Sequence, residues 1–288
     1  ARMDCVRQCG REQMKRMLTV AELARDNRFE RMSVEDAIFD PRRSPENGRN
    51  AFLPSDRESP DGARALMHGI FVGEIQALEG AGRTCFDFDT GTSGPDEVPF
   101  EMKLDMARQC WDEARHVEIS IKLTQHMGSE IGEFSEQVLL FEAACNADPV
   151  LRLTGVNRAL EGLAIDVFNT MRDFGQTMAD PVLYFCEDWM LADEVTHVKM
   201  GSDWLRRLTV NDKDRQDRAL EFQRTVDKLF SFGGLRGEND ENPIHLARKF
   251  RNLAGFSDEE ITDLVDIAAE AQAEAVAMAE AAAAALTA

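Results

Sequence analysis

The segments Glu113-Ala-Arg-His116 and Glu194-Val-Thr-His197 carry the same pattern, a glutamate followed three residues later by a histidine. On an α-helix, residues at positions i and i+3 project from one face, so a carboxylate oxygen and an imidazole nitrogen can bind the same ion. Such mixed ligands suit iron or manganese and argue against a purely magnesium or calcium site. We therefore interpret each segment as half of a two-metal centre.

Both segments lie in the middle of an apolar stripe with helical spacing. The stripe around the first segment consists of Met102, Met106, Gln109, Glu113, His116, Ser120, Leu123 and Met127. The stripe around the second consists of Leu183, Glu187, Met190, Glu194, His197, Gly201, Trp204 and Leu208. Charged residues of a helix surface would fall off such a stripe. The paired glutamates and histidines are therefore expected to face the interior of a helical bundle.

A centre of this kind takes one further glutamate from each of two other helices. Glu161 lies on an inward stripe, and its separation from Glu194 along the chain fits one helix, a turn and the next helix. On the first helix, Glu74 and Glu79 both lie on apolar stripes. Periodicity therefore leaves these two residues open, and the spacing to Glu113 slightly favours Glu79.

Four long helices are predicted from apolar periodicity, prolines and capping residues. They cover 61–88, 99–127, 150–178 and 180–208, with Asp180 as the cap and Pro181 in the first turn of the fourth. Shorter helices are predicted over 2–28, 130–146 and 212–231, from Pro243 to Leu253, and after a capping box of Ser257 and Glu260.

The chain is thus predicted to be all-α and to have three parts. Residues 1–60 form an N-terminal helix and a wrapping loop, residues 61–210 form the two-metal four-helix bundle, and residues 211–288 form a C-terminal helical extension that packs on the bundle. A length of 288 residues suits one core domain with such extensions.

The net charge of −20 disfavours several classes of partner. A surface this acidic repels phosphate backbones and anionic membranes, so we expect neither nucleic acid nor a membrane as a partner. The six cysteines include no Cys-x-x-Cys pair, and no apolar run reaches the about 20 residues of a membrane span. These features predict a cytoplasmic protein with reduced cysteines.

At these residues the chain resembles the ferritin-like di-metal proteins, and in particular a bacterial ferritin-like family catalogued as a domain of unknown function. The resemblance lies in Glu74-Ile-Gln-Ala-Leu-Glu79, Glu113-Ala-Arg-His116, Leu160-Glu161-Gly-Leu-Ala-Ile-Asp166 and Asp193-Glu194-Val-Thr-His197-Val-Lys-Met-Gly201-Ser-Asp-Trp204, within about residues 65–208. In that family the first glutamate of the first segment is the ligand, which implies Glu74. The family usually has a histidine at the position of Val72, and its loop after the first helix is shorter.

The resemblance implies a ferritin-like four-helix bundle with additional N- and C-terminal helices. The expected metal ligands are Glu74, Glu113, His116, Glu161, Glu194 and His197. The implied cofactors are two metal ions, foremost iron, with manganese or a mixed manganese–iron pair as alternatives, and dioxygen as co-substrate. The implied activity is a non-haem di-iron oxygenase or oxidase that hydroxylates, N-oxygenates, desaturates or cleaves a small organic molecule. An electron donor and a homodimer are further expectations.

Five other residues are candidates for orienting or replacing these ligands. Arg115, Asp166 and Asp193 are close to ligands in the chain, although ordinary solvated salt bridges are an equal interpretation. Glu79 is the alternative ligand of the first helix. Glu187 lies one heptad before the second motif; it is either an extra ligand or, as we expect, a partly solvated residue at the end of the bundle.

Four other functions compete with the oxygenase or oxidase. Iron storage is the first, but ferritins are shorter and lack such flanking helices. Peroxide disproportionation by a manganese catalase-like centre is the second. RNA hydroxylation would need a basic patch, which 33 basic against 53 acidic residues disfavour. A purely structural bundle would leave four buried carboxylates without a cation, at a cost of several kcal/mol each.

Overall fold

The computed structural model describes residues 60–287, apart from residues 92, 95, 135–138, 232–235 and 238–243. The helix predicted over 2–28 and the loop predicted to follow it lie outside the described residues. Most of the described residues are helical, which confirms the all-α class. None of the helices in this part of the chain is long and apolar enough to cross a membrane.

The elements follow one another in a simple order along the described chain. The helices are α1 (Pro60–Asp87), α2 (Phe100–His126), α3 (Leu139–Ala144), α4 (Pro149–Leu153), α5 (Glu161–Thr177), α6 (Pro181–Thr209), α7 (Lys213–Leu229), α8 (Arg248–Leu253) and α9 (Asp258–Thr287). A π-helical segment, Thr154–Leu160, joins α4 to α5. The strands are β1 (Asp89–Thr90), β2 (Glu97–Val98), β3 (Arg236–Gly237) and β4 (Ile244–His245).

Four long helices form a ring around a common interior. Helix α1 packs along α2, α5 packs along α6, and contacts between α2 and α6 and between α1 and α5 close the ring. Contacts at two heights, His116 with Asp193 and His126 with Asp180, show that α2 and α6 are antiparallel. Similar pairs of contacts show the same for α1 with α2 and for α5 with α6. Helices α2 and α5 therefore run in one direction, so the connection between them has to cross the length of the bundle.

The structure confirms two predicted helix starts. The Asp180 side chain caps α6, because it accepts hydrogen bonds from the backbone N–H groups of Val182 and Leu183, both at 3.0 Å. Ser257 and Glu260 form the predicted capping box of α9. In that box each residue donates its backbone N–H to the side chain of the other, at 2.8 and 3.2 Å.

Three regions differ from the helices predicted there. In the region predicted as a helix over 130–146, residues 131–134 form turns and bends and the helix α3 covers only Leu139–Ala144. The helix predicted over 150–178 contains the π-helical segment, in which a turn takes up an extra residue and shifts the helical spacing. After Pro243 the chain forms strand β4 first, and α8 begins only at Arg248. The strands pair in parallel, β1 with β2 and β3 with β4. With two residues each, they are too short to give the alternating pattern from which strands are predicted.

A buried ion pair attaches α8 to the bundle. Arg251 donates to both carboxylate oxygens of Asp166 on α5, at 2.5 to 3.1 Å, and to the carbonyl of Gly162 at 2.6 Å. The backbone N–H of Ala247 also donates to Asp166, at 2.8 Å. These hydrogen bonds turn Asp166 towards the C-terminal part of the chain. Asp166 therefore fixes α8 to α5. Of the two interpretations that the sequence left open, the structure shows a salt bridge, although a buried and not a solvated one.

Gly201 lets α6 approach the π-helical segment closely. A Cβ atom added at Gly201 would lie 2.3 Å from the Cβ of Asn157 and 3.2 Å from its Cγ. Only a backbone shift would relieve such a contact, because a Cβ atom cannot rotate away. Asn157 is itself buried and donates a hydrogen bond to Gln109 of α2, at 2.7 Å. The glycine thus sets the distance between α6 and the segment that precedes Glu161.

Gly201→Ala is expected to lower the free energy of unfolding by about 1–3 kcal/mol, because overpacking forces the backbone apart. Gly69→Ala is the matched control, since Gly69 is exposed on α1 and an added Cβ would have no atom within 4 Å. Alanine forms helix more readily than glycine, so the control should be neutral or stabilising by up to about 1 kcal/mol. Chemical denaturation measures both values. Equal stabilities of the two variants would contradict the close approach of α6.

Candidate metal centre

The interior of the ring contains six buried carboxylate and imidazole side chains, contributed by all four long helices. They are Glu74 of α1, Glu113 and His116 of α2, Glu161 of α5, and Glu194 and His197 of α6, none more than 5% exposed. Their ligand atoms form two groups, Glu74, Glu113, His116 and Glu194, and Glu113, Glu161, Glu194 and His197. Within each group these atoms lie within 4.8 Å of one another, so each group can hold a metal ion. Glu113 and Glu194 belong to both groups.

The shared position of Glu113 follows from its two oxygen atoms. Oε2 lies 3.1 Å from Nδ1 of His116, and Oε1 lies 3.2 Å from Nδ1 of His197. Oε1 of Glu194 lies between the same two nitrogens, at 3.3 and 3.5 Å. The centroids of the two imidazole rings are 5.9 Å apart. Both histidines therefore turn Nδ1 towards the same pair of carboxylates.

Glu74 and Glu161 each belong to one group only. Oε2 of Glu74 lies 2.9 Å from Nδ1 of His116, and Oε2 of Glu161 lies 3.4 Å from Nδ1 of His197. The antiparallel pair α1 and α2 thus supplies the same set of side chains as the pair α5 and α6. The centre has an approximate two-fold relation, in which α1 corresponds to α5 and α2 to α6.

An aspartate precedes each shared glutamate and contacts the histidine of the opposite helix. Nε2 of His116 lies 3.2 Å from Asp193, and Nε2 of His197 lies 3.3 Å from Asp112. Arg115 is hydrogen-bonded to Asp112 and lies 3.5 Å from Asp193. A carboxylate on the second ring nitrogen fixes the orientation of an imidazole and leaves Nδ1 for a metal. Asp193 and Arg115 therefore stand where an orienting role is expected, and Asp112 joins them.

A pair of amides supports one end of the centre. Nε2 of Gln109 donates to Oε1 of Glu161 at 2.8 Å and to Oε1 of Glu113 at 3.1 Å. Asn157 of the π-helical segment donates to the carbonyl oxygen of Gln109 at 2.7 Å. All four side chains are buried. The amides therefore fix which carboxylate oxygens of Glu113 and Glu161 point into the centre.

Several atoms of the centre have no hydrogen-bond partner among the residues that the structure describes. They are Oε2 of Glu113, Oε2 of Glu161, both carboxylate oxygens of Glu194 and Nδ1 of His197. The imidazole and carboxylate atoms nearby lie at 3.1 to 3.5 Å but without the geometry of a hydrogen bond. Buried polar atoms in this condition are rare and costly. Cations bound by these atoms would satisfy them, so the residues fit a two-metal centre.

The pKa values of the unshared glutamates and of the two histidines are shifted upwards when no metal is bound. Burial raises the pKa of Glu74 and of Glu161 well above the ordinary value, and the charges of neighbouring glutamates reinforce the effect. Burial lowers the pKa of His116 and of His197, but the surrounding carboxylates outweigh burial and raise both pKa values. These shifts favour the protonated form of each of these four side chains.

The two shared glutamates behave in the opposite way. Burial raises the pKa of Glu113, but interactions with the two histidines outweigh burial and lower that pKa. Burial and the charge of Glu113 raise the pKa of Glu194, but interactions with Glu161 and with the two histidines outweigh them and lower it. Two carboxylates and two imidazolium groups then leave the cluster electrically neutral. Two divalent ions carry the same positive charge as the four protons that they would displace.

Two candidates lie outside the centre. Glu79, the alternative to Glu74, is exposed and belongs to neither group. Glu187 also belongs to neither group, but it is 0% exposed. The expectation of a partly solvated Glu187 at the end of the bundle is therefore wrong. The inward side chains of α6 remain buried for another turn beyond Glu187, as far as Leu183.

Sequence reasoning missed Asp112, Gln109 and Asn157. A signal for Asp112 is present, because the full motif is Asp-Glu-x-x-His in both helices, with Asp112 in one and Asp193 in the other. Gln109 lies on the predicted inward stripe, but that position alone does not indicate a hydrogen bond to the ligands. For Asn157 the helical spacing gives no signal, because the π-helical segment breaks that spacing.

A family model described as a protein of unknown function (DUF455) matches residues 8–262 of the chain. The match includes all six side chains of the centre. No curated protein matches the chain, and no solved structure does. Because the family match spans well over half of the 288 residues, the chain belongs to the DUF455 family.

Glu74→Gln and Glu79→Gln are expected to distinguish the two glutamates of α1. Glutamine keeps the shape of the side chain but loses its charge, so Glu74→Gln should weaken one of the two metal sites by at least about 10-fold. Glu79→Gln should leave both sites unchanged because Glu79 is exposed. Metal content is measured after equilibrium dialysis against limiting Mn(II). Equal contents in the two variants would remove Glu74 from the ligand set.

Metal loading is expected to release protons from the centre. Binding of two divalent ions at neutral pH should release about four protons per chain, and the affinity should increase as the pH rises, because metal and protons compete. The release is followed with a pH indicator in weakly buffered solution during anaerobic titration with Mn(II). Mg(II) is the control ion, since it avoids imidazole ligands. A release of one proton or none would contradict the charge distribution described above.

Proposed function

We propose that this member of the DUF455 family is a di-metal oxidoreductase that uses dioxygen to oxidise a small organic molecule. One observation carries the proposal, namely the two overlapping groups of buried ligand atoms that share Glu113 and Glu194. Shared carboxylates hold two metal ions side by side, which is the arrangement of the di-iron and di-manganese carboxylate proteins. Two ions that are held side by side can act on the same small molecule.

The arrangement of the helices supports the proposal. In ferritin-like carboxylate proteins two helices supply one glutamate each, two supply a Glu-x-x-His motif, and one long connection crosses the bundle. Here α1 and α5 supply the single glutamates, α2 and α6 supply the motifs, and the long connection lies between α2 and α5. We therefore propose that the bundle is ferritin-like.

We propose iron as the resident metal, with manganese or a mixed pair as alternatives. Imidazole nitrogen together with carboxylate oxygen suits both metals. When bound, two ferrous ions supply electrons for the reduction of dioxygen. In this proposal the four glutamates, Glu74, Glu113, Glu161 and Glu194, together balance the charge of the ions. Asp112 and Asp193 keep the imidazole rings oriented throughout.

Apolar and aromatic side chains surround the centre and exclude water. The rings of Phe168 and Trp189 stand edge-on to His116, with centroids 6.2 and 6.0 Å away. Ile165 and Met190, both 0% exposed, lie one helical turn from ligands of the second group. Such surroundings suit an organic substrate better than a hydrated ion. They therefore favour oxidation of an organic molecule over iron storage.

The proposed chemistry includes a reductant. Insertion of one oxygen atom of dioxygen into an organic molecule, with release of the other as water, takes up a further pair of electrons and of protons. An oxygenase of this kind thus needs an electron donor as a partner. An oxidase that desaturates its substrate takes two electrons and two protons from the substrate and releases dioxygen as hydrogen peroxide. Release of two water molecules instead would need two further electrons and two protons from the same donor.

Anaerobic loading with ferrous iron, followed by exposure to dioxygen, tests the proposal. The wild-type protein is expected to bind about two iron ions per chain and then to consume dioxygen. Glu113→Ala removes a carboxylate from both groups and should slow this consumption by about 100-fold or more, because the loss of an outer partner alone costs 10- to 100-fold. Glu221→Gln, which changes an exposed glutamate of α7, is the matched control and should behave as the wild type.

Three other outcomes would contradict the proposal. Accumulation of iron far beyond two ions per chain, with formation of a mineral, would indicate storage. Evolution of dioxygen from hydrogen peroxide by the manganese form, without dioxygen consumption by the iron form, would indicate a catalase-like activity. Failure of the wild-type protein to take up metal would leave a structural bundle.

A further inference from the structure

Glu187 is a buried carboxyl group whose two oxygen atoms have no hydrogen-bond partner among the described residues. Its side chain is 0% exposed on the inward stripe of α6, and it belongs to neither metal group. Native proteins rarely leave a buried carboxyl group unsatisfied, because its desolvation is costly. The presence of Glu187 inside the bundle therefore needs an explanation separate from the metal ligands.

Two hydroxyl groups of α2 are also buried without a hydrogen-bond partner among the described residues. Ser120 and Thr124 are completely buried, and within the part of the chain that the structure describes their hydroxyl oxygens have no hydrogen-bond partner. Helical serine and threonine hydroxyls often donate to the carbonyl four residues earlier. Thr84, Thr170 and Ser202 do so here. Ser120 and Thr124 instead keep their hydroxyl groups available for another partner.

The helix register places these three side chains at one level of the bundle. Helices α2 and α6 are antiparallel, and two contacts bracket the level. One is His116 with Asp193 beside the metal centre, and the other is His126 with Asp180 at the end of the bundle. The three side chains lie between these contacts along their helices and face the same interior. Four polar atoms that have no hydrogen-bond partner among the described residues thus lie within about two and a half helical turns of His116.

The walls at this level are apolar. One buried cluster includes Leu123, Phe168, Met171, Leu183 and Met190. On α1 the titratable side chain at this level is His68, whose Nε2 accepts a hydrogen bond from the backbone N–H of Gly132 at 2.9 Å. Burial raises the pKa of Glu187 well above its ordinary value, against the opposing charge of His116. This shift favours the protonated form of Glu187, and a more basic group beside it would take up the proton.

The two ends of the metal centre differ in whether their polar side chains have hydrogen-bond partners among the described residues. By the approximate two-fold relation, Met106 of α2 corresponds to Glu187, and Gly201 of α6 corresponds to Ser120. At that other end Asn157 packs against Gly201 and is hydrogen-bonded to Gln109. The end with Glu187 is the one that keeps carboxyl and hydroxyl groups unpaired. A polar group of a ligand is therefore expected to bind there.

We propose that Glu187, Ser120 and Thr124 form a binding site for the amino group of the organic substrate. A primary amine that enters as the neutral base accepts the proton of Glu187, so that an N–H bond forms as the O–H bond breaks. The resulting ammonium has three N–H donors, which match the carboxylate and the two hydroxyl oxygens. The apolar walls bind the rest of the molecule. The assignment as substrate rests on the proposed function.

Titration of the metal-containing protein with amines tests this site. Primary amines from methylamine to hexylamine are compared by calorimetry with alcohols of the same chain length. Hydrogen bonds to a charged group should make the amines bind about 10- to 100-fold more tightly than the alcohols, and Glu187→Gln should abolish this preference. Glu221→Gln is the surface control. The infrared carbonyl band of protonated Glu187, identified by its loss in Glu187→Gln, should disappear when an amine binds.

A second variant protects the test from a folding effect. Glu187→Met copies the corresponding Met106, so the free energy of unfolding should be preserved or increased while the amine preference is lost. Equal binding of amines and alcohols by the wild type, or a preference that survives in both variants, would overturn the site. Metal content and dioxygen consumption are measured on the same samples. Their failure would reject the oxidoreductase while the titration still decides the amine site, and loss of the amine preference alone would reject only that site.

Discussion

The packing of four carboxylates into a closed interior is the constraint on which the rest of the structure depends. Ionised carboxylates without a counter-charge would oppose folding by several kcal/mol each. The helices can therefore come together only if positive charge, as protons or as metal ions, is present at the same level. His116 and His197 meet part of this need, because the carboxylates around them raise their pKa values. Close helix packing at Gly201 and the amides of Gln109 and Asn157 hold the carboxylates in place despite their mutual repulsion.

The approximate two-fold relation between the helix pairs explains how a motif that occurs twice produces two overlapping groups of ligand atoms. Each Asp-Glu-x-x-His segment places its glutamate in both groups of ligand atoms and its histidine in one of them. Its aspartate reaches across to the histidine of the other segment, so that neither helix can shift without disturbing both rings. The relation fails above and below the centre, where Asn157 and Gln109 close one end and Glu187 lies at the other. A symmetric metal core thus has two chemically different ends.

The bundle and the convergence of six side chains could be predicted because both depend on short-range rules. Helical spacing places Glu113 beside His116 whatever the rest of the chain does. The choice between Glu74 and Glu79 could not be derived from periodicity, since both lie on apolar stripes and only packing against α2 decides which one is buried. The inward position of Asn157 could not be predicted for a different reason. A π-helical segment changes the residue spacing from which the faces of a helix are assigned.

Asp166 and Glu187 differ in their hydrogen bonds and not in their burial. Asp166 and Glu187 are equally buried at 0% exposure. Asp166 is fully engaged by Arg251 and by a backbone N–H, as expected of an ion pair that fixes α8 to α5. Both oxygens of Glu187, like those of Glu194 among the metal ligands, have no hydrogen-bond donor within the described residues. Since an unsatisfied carboxyl group costs stability without contributing to packing, its retention is best explained by binding to something other than the protein.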